Sequence, residues 1–351
     1  MSEAAEADAA GAERDQLYDA LSRRLTQADA ASAWPILGDA GVQGILIREA
    51  LGGLGMTAGE AEPIMAALGG ACWPTPFVES SIVAATLLAR FATSSSDEVL
   101  RSMAESGEIA TVAGLDERLR GGVSGSKDGE QWRVDGTLRL VLDADHAKVT
   151  LVVVDQAEAT GLFLIDPALA SGRRSYPTID GRLAADLQLD RAPATMLSAD
   201  AGEAVAAAAD AARACIAVEA AAIMKRLVRD TVEYARQRRQ FGQTLAQFQV
   251  VQHRLVDMQM HARRAGAIAR RAMQALDEPA EVRGRIVSAA KATVATAGRF
   301  VGQQAVQLHG AMGMTDELAL SRCFKRLTVI ADELGSADQH AARHASLRDA
   351  G

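Results

Sequence analysis

The sequence predicts an α+β chain that is mostly α. A helical domain is expected over 1–105, a small β domain over 106–198 and a C-terminal four-helix bundle over 199–351. Two observations predict it, and the length supports it. Apolar residues make up 49% of the chain while aromatics make up only 4%, a balance that suits closely packed, alanine-rich helices better than strands of aromatic and β-branched residues. Helical periodicity fills both ends, whereas the middle carries short β-branched runs cut by Gly, Asp and Pro. At 351 residues the chain also exceeds the roughly 250–300 at which a single core stops growing.

In the N-terminal part Leu17, Leu21 and Leu25 recur every four residues, and the run Ile82-Val-Ala-Ala-Thr-Leu-Leu reads as a buried helix. Leu51-Gly-Gly-Leu-Gly and Trp73-Pro-Thr-Pro punctuate these helices. No strand precedes those glycines, so they do not read as a phosphate-binding dinucleotide fingerprint. In the middle, Trp132-Arg-Val-Asp-Gly, Ala147-Lys-Val-Thr-Leu-Val-Val-Val, Gly161-Leu-Phe-Leu-Ile and Ala184-Ala-Asp-Leu-Gln-Leu predict a small antiparallel sheet. Asp135-Gly136 carries a hairpin-turn signal, and Val149 to Val154 is apolar enough for a strand covered on both faces. From Asp200 onward four helices are expected, over 199–236, 243–276, 279–309 and 316–348. Pro279 stands near the first position of the third and Gly310 at its end. In the second, Phe248, Val251, Leu255 and Met258 form a core stripe, with Arg254 and Asp257 facing away.

A formal charge of −8 argues against a nucleic-acid binder that relies on phosphate neutralisation. The three cysteines, Cys72, Cys215 and Cys323, have neither CxxC pairing nor a histidine cluster, so no metal site is expected and a reducing, cytoplasmic setting is. The start MSEAAEADAAGAERDQ is acidic and lacks a signal peptide's apolar run, and no window suits a membrane span.

Chemistry concentrates in the segment Tyr234-Ala-Arg-Gln-Arg-Arg-Gln-Phe-Gly, followed by an amphipathic helix that carries Gln249. Arg236, Arg238 and Arg239 make a local anion site beside the flat face of Phe241, which suits a phosphate-bearing aromatic cofactor. Cations at a helix C-terminus also complement its dipole without any ligand. The segment from Arg238 to Met258 resembles the motif joining the first two long C-terminal helices of the acyl-CoA dehydrogenases. The run from Gly302 to Leu318 resembles that family's second signature, and Gly44 to Gly55 with the Trp-Pro-Thr-Pro stretch resembles its opening domain.

The resemblance, which covers nearly the whole chain, implies FAD as cofactor, bound across subunits. Arg238, Gln240 and Phe241 would face its diphosphate and adenine side with Gln249 nearby, and Gln307, Gly310 and Ala311 would complete the site. It implies α,β-dehydrogenation of an acyl-CoA to the trans-2-enoyl-CoA, with an electron-transfer flavoprotein or similar acceptor and a place in fatty-acid metabolism. The reaction needs a carboxylate base with a raised pKa and hydrogen bonds to the thioester carbonyl.

The sequence departs from the family where that base belongs. One family position falls on Leu334, next to Glu333, and the other on Ala212. Glu219 lies seven residues after Ala212, near the same helix face and about 10 Å along the axis. Glu333 and Glu219 are the candidate bases. The segments that hold the flavin ring in the family appear here as Thr111-Val-Ala-Gly-Leu and Leu138-Arg-Leu-Val-Leu, without their hydroxyl and amide groups. The short form resembles the small subunit of two-component enzymes such as pimeloyl-CoA dehydrogenase. A homo- or hetero-oligomer is therefore expected, the alternative role being a non-catalytic subunit that completes a larger partner's FAD site. His253 and His309 read as structural, and His340 and His344, four apart without a third ligand, as a solvated face.

Overall fold

The computed structural model describes residues 3–156, 159–315 and 319–349. Helices α1 (Glu3–Gln27), α2 (Ala30–Asp39), α3 (Glu62–Ala71), α4 (Ala85–Arg90) and α5 (Ser94–Ser106) come first. Strands β1 (Ile109–Ala113), β2 (Val123–Asp128), β3 (Gln131–Leu142), β4 (Ala147–Asp155), β5 (Thr160–Ile165), β6 (Gly172–Pro177) and β7 (Leu183–Ser198) follow. Then come α6 (Gly202–Gln237), a small hairpin of β8 (Arg239–Gln240) and β9 (Gln243–Thr244), α7 (Gln249–Gln274), α8 (Ala280–His309), α9 (Ala319–Ile330) and α10 (Ala337–Asp349). The order of helices, sheet and helical bundle is the predicted one. Among the described residues no helix is long and apolar enough to cross a membrane.

The chain packs into two compact units, each assembled from separated stretches. One unit holds Ala30–Ala58 and Pro74–Ala212. Its sheet runs β1-β4-β5-β7-β3-β2, with β6 also paired to β7. Every pair in this sheet is antiparallel except β1 with β4, which is parallel, so the expected antiparallel sheet is a mixed one. Thr150 to Val154 are buried, as a strand between two neighbours requires. The core gathers Phe163, Val134, Val141, Val152 and Leu187, and Gly125 leaves room for the Phe163 ring, which a Cβ there would meet at 2.5 Å.

Asp135-Gly136 is not a hairpin turn. It sits inside β3 at a bulge, where Gly136 has φ +124 and a Cβ would come within 2.1 Å of the Gly122 carbonyl. The hairpin turns instead beyond Asp128, with Gly129 at φ +62. The predicted helix at Ile82 begins as a π-helical turn, Val78–Ala84.

The other unit holds Met1–Asp29, Gly59–Trp73 and Arg213–Gly351. Leu21 and Leu25 are buried on α1, which packs on α3. Gly69 lets α3 cross α6 closely, since a Cβ there would lie 2.5 Å from the Glu219 carbonyl. On α7 the buried stripe runs through Val251, Met258, Ala262, Ala265 and Ala269. Arg254, expected to face away, is half-buried and donates from Nη1 to Gln304 Oε1 at 2.7 Å. The last expected helix is two helices, α9 and α10, parted by turns at 331–335 where Leu334 (φ +55) and Gly335 (φ +116) break the helix. Asp316, Glu317 and Leu318, which end the second motif, lie outside the described residues.

Candidate functional site

Between α6 and α7, where one helix was expected to end and another to start, the chain makes a tight hairpin. Arg239 pairs with Thr244 and Gln240 with Gln243, so Phe241 and Gly242 form a two-residue turn. Both have positive φ, +53 and +83. That is the primed-turn geometry a hairpin favours, usually met by Asn-Gly, and it places an aromatic residue in a left-handed backbone at roughly 1–2 kcal/mol. The Phe241 ring is 92% exposed, with its edge toward Phe248 at 6.4 Å between centroids. Arg236, Arg238, Arg239, Gln240 and Gln249 are exposed around it. The hairpin thus offers positive charge, amides and an apolar plate to a ligand arriving from outside the chain.

The second motif, through His309, meets the end of α6 at Tyr234. Gly310 caps α8 at φ +62, ψ −140, a backbone region in which essentially only glycine is at ease. Nothing lies within 4 Å of where its Cβ would be, so the turn demands glycine through its backbone angles and leaves the outside open. Gln307, Gly310 and Ala311 are exposed. Tyr234 and His309 join the two motifs: their rings stack at 4.2 Å, and the Tyr234 hydroxyl donates to the His309 carbonyl at 3.4 Å. His309 is 6% exposed and its Nδ1 lies 2.9 Å from the Ala305 carbonyl, while burial holds its pKa below the usual histidine value. It pins two helix ends together. The sequence reading treated His309 as structural but missed Tyr234 as its partner, because the pair is separated by 75 residues.

The two candidate bases meet elsewhere, on one guanidinium. Arg326, on α9, donates from Nε to Glu219 Oε1 at 2.7 Å and from Nη2 to Glu219 Oε2 at 2.8 Å, a fork-on-fork pair. Its Nη1 lies 2.9 Å from Glu333 Oε2. Arg326 is 7% and Glu219 9% exposed. Glu333 sits in the turn after α9 and not on a helix.

The surrounding turns are held by basic groups. Lys291 Nζ donates to the carbonyls of Ile330 (2.7 Å) and Gly335 (3.0 Å). Arg213 Nε donates to the Leu334 carbonyl at 3.1 Å, and His340 Nε2 lies 2.9 Å from the same oxygen. Burial pushes the Lys291 amine down to about 8 and the His340 imidazole down to about 4. His340, expected on a solvated face, is buried at 3%, and His344 bonds the Arg285 carbonyl through Nδ1 at 2.9 Å. His253 is exposed, not enclosed by apolar neighbours.

In the sheet unit, Thr111 is fully buried and its hydroxyl donates to the Leu142 carbonyl at 2.6 Å. The backbone N–H of Leu140 donates to Asp186 Oδ1 at 3.1 Å. The Thr111 hydroxyl is therefore engaged inside the sheet unit, whereas Arg139 and Leu140 of the other segment are exposed.

Comparison with known proteins places the chain among similar ones. Residues 8–106 match the acyl-CoA dehydrogenase N-terminal domain and residues 201–342 the acyl-CoA dehydrogenase C-terminal domain. The chain is 27% identical over 330 residues to acyl-CoA dehydrogenase FadE27 of Mycobacterium tuberculosis, covering 89% of this chain and 84% of that protein. Among solved structures, a variant of the Tcur3481–Tcur3483 steroid ACAD superposes with a TM-score of 0.86 at 25% identity, covering 97% of this chain and 99% of that one. The ChsE4–ChsE5 complex of M. tuberculosis gives a TM-score of 0.83 at 26% identity, covering 100% and 98%.

Proposed function

The chain belongs to the acyl-CoA dehydrogenase family, and from that premise we propose that it is the subunit of a hetero-oligomeric dehydrogenase that completes a larger partner's flavin site without supplying the base. As a family member it is an FAD-dependent oxidoreductase acting on acyl-CoA. The observation that carries the proposal is the Arg326 clamp. A base must approach the substrate α-carbon with a free lone pair in an environment that raises its pKa. Glu219 is instead held by two charge-assisted hydrogen bonds and Glu333 by the same cation.

The residues present fit the diphosphate half of FAD and not its ring half. Arg238 and Arg239 would meet the phosphate charge, Phe241 would give the adenine side a flat contact, and Gln240, Gln249 and Gln307 would donate amide hydrogens. Gly310 and Ala311 would let the backbone come close. On the ring side the Thr111 hydroxyl is engaged within the sheet, so the partner subunit would hold the ring. FAD, when bound, supplies the hydride acceptor. The assembly would convert an acyl-CoA to its trans-2-enoyl-CoA and pass electrons to an electron-transfer flavoprotein or similar acceptor. Two of the similar structures are two-protein systems, ChsE4–ChsE5 and Tcur3481–Tcur3483, and this supports the heteromeric reading.

The test is rapid-mixing measurement of flavin bleaching by straight-chain, aromatic and steroid-bearing acyl-CoA thioesters, on the chain alone and with the larger subunit. The complex should bleach and the isolated chain should not. Glu219→Gln and Glu333→Gln should leave the bleaching rate of the complex unchanged, while Arg238→Ala should weaken flavin retention by roughly tenfold. Stoichiometric FAD on the isolated chain, bleached by substrate and silenced by Glu333→Gln or Glu219→Gln, would overturn the proposal and make that carboxylate the base.

A further inference from the structure

One large cleft in the bundle unit shares only Arg236 with the site above. It measures about 1040 Å³ and is floored by α6 from Val218 to Arg236, with α7 on one side and α1 and α3 on the other. Eighteen helical rises make that floor about 27 Å long, so the cleft is a trough. Its bed is small and apolar, with Ala66, Ala222, Ala262, Ala269 and Gly266 among the lining residues. Its charge runs against that of the chain: six lysine and arginine side chains line it against two glutamates, Glu62 and Glu233, whereas the whole sequence carries −8. Lys225, Arg236 and Arg263 have neither an ion pair nor a hydrogen bond among the described residues. The occupant this surface fits is an acidic rod whose own side chains are small.

The chain carries such a rod. Helix α1 begins at Glu3, and Gly11 to Gln16 are all exposed. The stretch Glu3 to Gln16 holds five acids (Glu3, Glu6, Asp8, Glu13 and Asp15) against Arg14, and most of its remaining residues are alanine. At about 21 Å it is shorter than the trough floor. A helical stretch that stays exposed, as Gly11 to Gln16 do, gains the stability that packing supplies only when a surface covers it. It cannot cover its own trough. Arg14 is bonded to Glu62 on the trough rim, Tyr18 lines the trough, and α1 is one unbroken helix through both, so the stretch before Arg14 does not fold back over it.

We propose that the trough is the seat of the Glu3–Gln16 arm of a second copy of the chain. Alanines of the arm would lie on the alanine floor, where small residues let two helix backbones approach. Its carboxylates would face Lys225, Arg236 and Arg263, a complementarity that favours the encounter and fixes the register. By two-fold exchange each copy would give one arm and receive one.

The test uses a full-length receptor with its own arm reversed in charge (Glu3→Lys, Glu6→Lys, Asp8→Lys, Glu13→Lys), so that no resident arm competes. The probe is a fluorescein-labelled peptide of residues 1–16, followed by anisotropy. Saturable binding is expected, weakening as salt is raised and falling roughly tenfold or more when Arg236→Glu and Arg263→Glu are added to the receptor. A peptide with its acids replaced by their amides should not bind, and this control leaves the folded receptor untouched. Carbodiimide activation should then join a peptide carboxylate to the Lys225 amine through an amide bond, with release of the urea. Absence of saturable binding, indifference to the trough substitutions, or cross-links confined to other lysines would each overturn the proposal.

Discussion

Arg326 shows how one side chain can decide the status of two others. The sequence marked Glu219 and Glu333 as carboxylates near the family's base positions, but a list of residues cannot say that both end on the same guanidinium, 107 and 7 positions away. Replacing Arg326 with Met should take from buried Glu219 both of its charge-assisted hydrogen bonds and cost about 3–5 kcal/mol of stability, read by denaturant unfolding. Adding Glu219→Gln should recover most of that loss, because the penalty belongs to the stranded charge and not to the missing contact. His340 makes a second residue-scale prediction. Its Nε2 faces the Leu334 carbonyl, its Nδ1 is buried without a partner, and Arg213, Lys291 and Arg343 disfavour a further cation there. The folded pKa, about 4, lies below the ordinary 6.5. Stability is therefore complete above about pH 6.5 and lost as pH falls toward 4, on the order of 3 kcal/mol from this group. In urea unfolding at pH 7 and pH 4, His340→Asn should lose less stability on acidification than the parent. Lys291 acts in the alkaline range with the same sign: its folded pKa of about 8 lies below 10.5, so its contribution to stability rises from about pH 8 to 10.5.

At the scale of elements, neighbouring glycines on α3 have opposite roles. A Cβ on Gly69 would strike the Glu219 carbonyl at 2.5 Å and the Ala222 side chain at 2.9 Å, whereas Gly70 has open space around it. Gly69→Val should force α3 from α6 and destabilise by about 1–3 kcal/mol. Gly70→Ala should stabilise by roughly 0.5–1 kcal/mol, because it only removes backbone freedom from a helix interior. Thermal melts of the pair check both signs. Helix ends were legible wherever a residue's own backbone preference sets them: Pro279 caps α8 at its start and Gly310 at its end. The break between α9 and α10 was not legible. Leu334 adopts φ +55 there against its own preference, held by Arg213 and His340 on its carbonyl. The Asp-Gly signal in β3 failed for the converse reason: close packing against Gly122 also requires glycine, and dipeptide chemistry does not separate the two demands.

At the scale of the molecule, burial governs reactivity. All three cysteines are buried and unbridged. Cys72 is raised by its hydrogen bond to Cys323 and by burial, and burial pushes Cys215 up to about 12. The hydrogen bond from Cys72 lowers Cys323, but its side chain has no exposed surface. A thiol reagent should therefore titrate no cysteine quickly in the folded chain and all three in guanidinium.

By itself the sequence determined the family, the order of helices, sheet and bundle, and the two motifs whose exposed residues end at Phe241 and Gly310. Those features are local: periodicity, turn chemistry and short fixed spacings are carried by residues a few positions apart. Only the tertiary structure decided that α1 and α3 pack in the same unit as the C-terminal helices while α2, α4 and α5 pack in the unit that holds the sheet. It alone decided that Tyr234 stacks on His309 and that both glutamates close on Arg326. Each of those outcomes depends on which distant surfaces bury one another, and that is set by packing the whole chain at once.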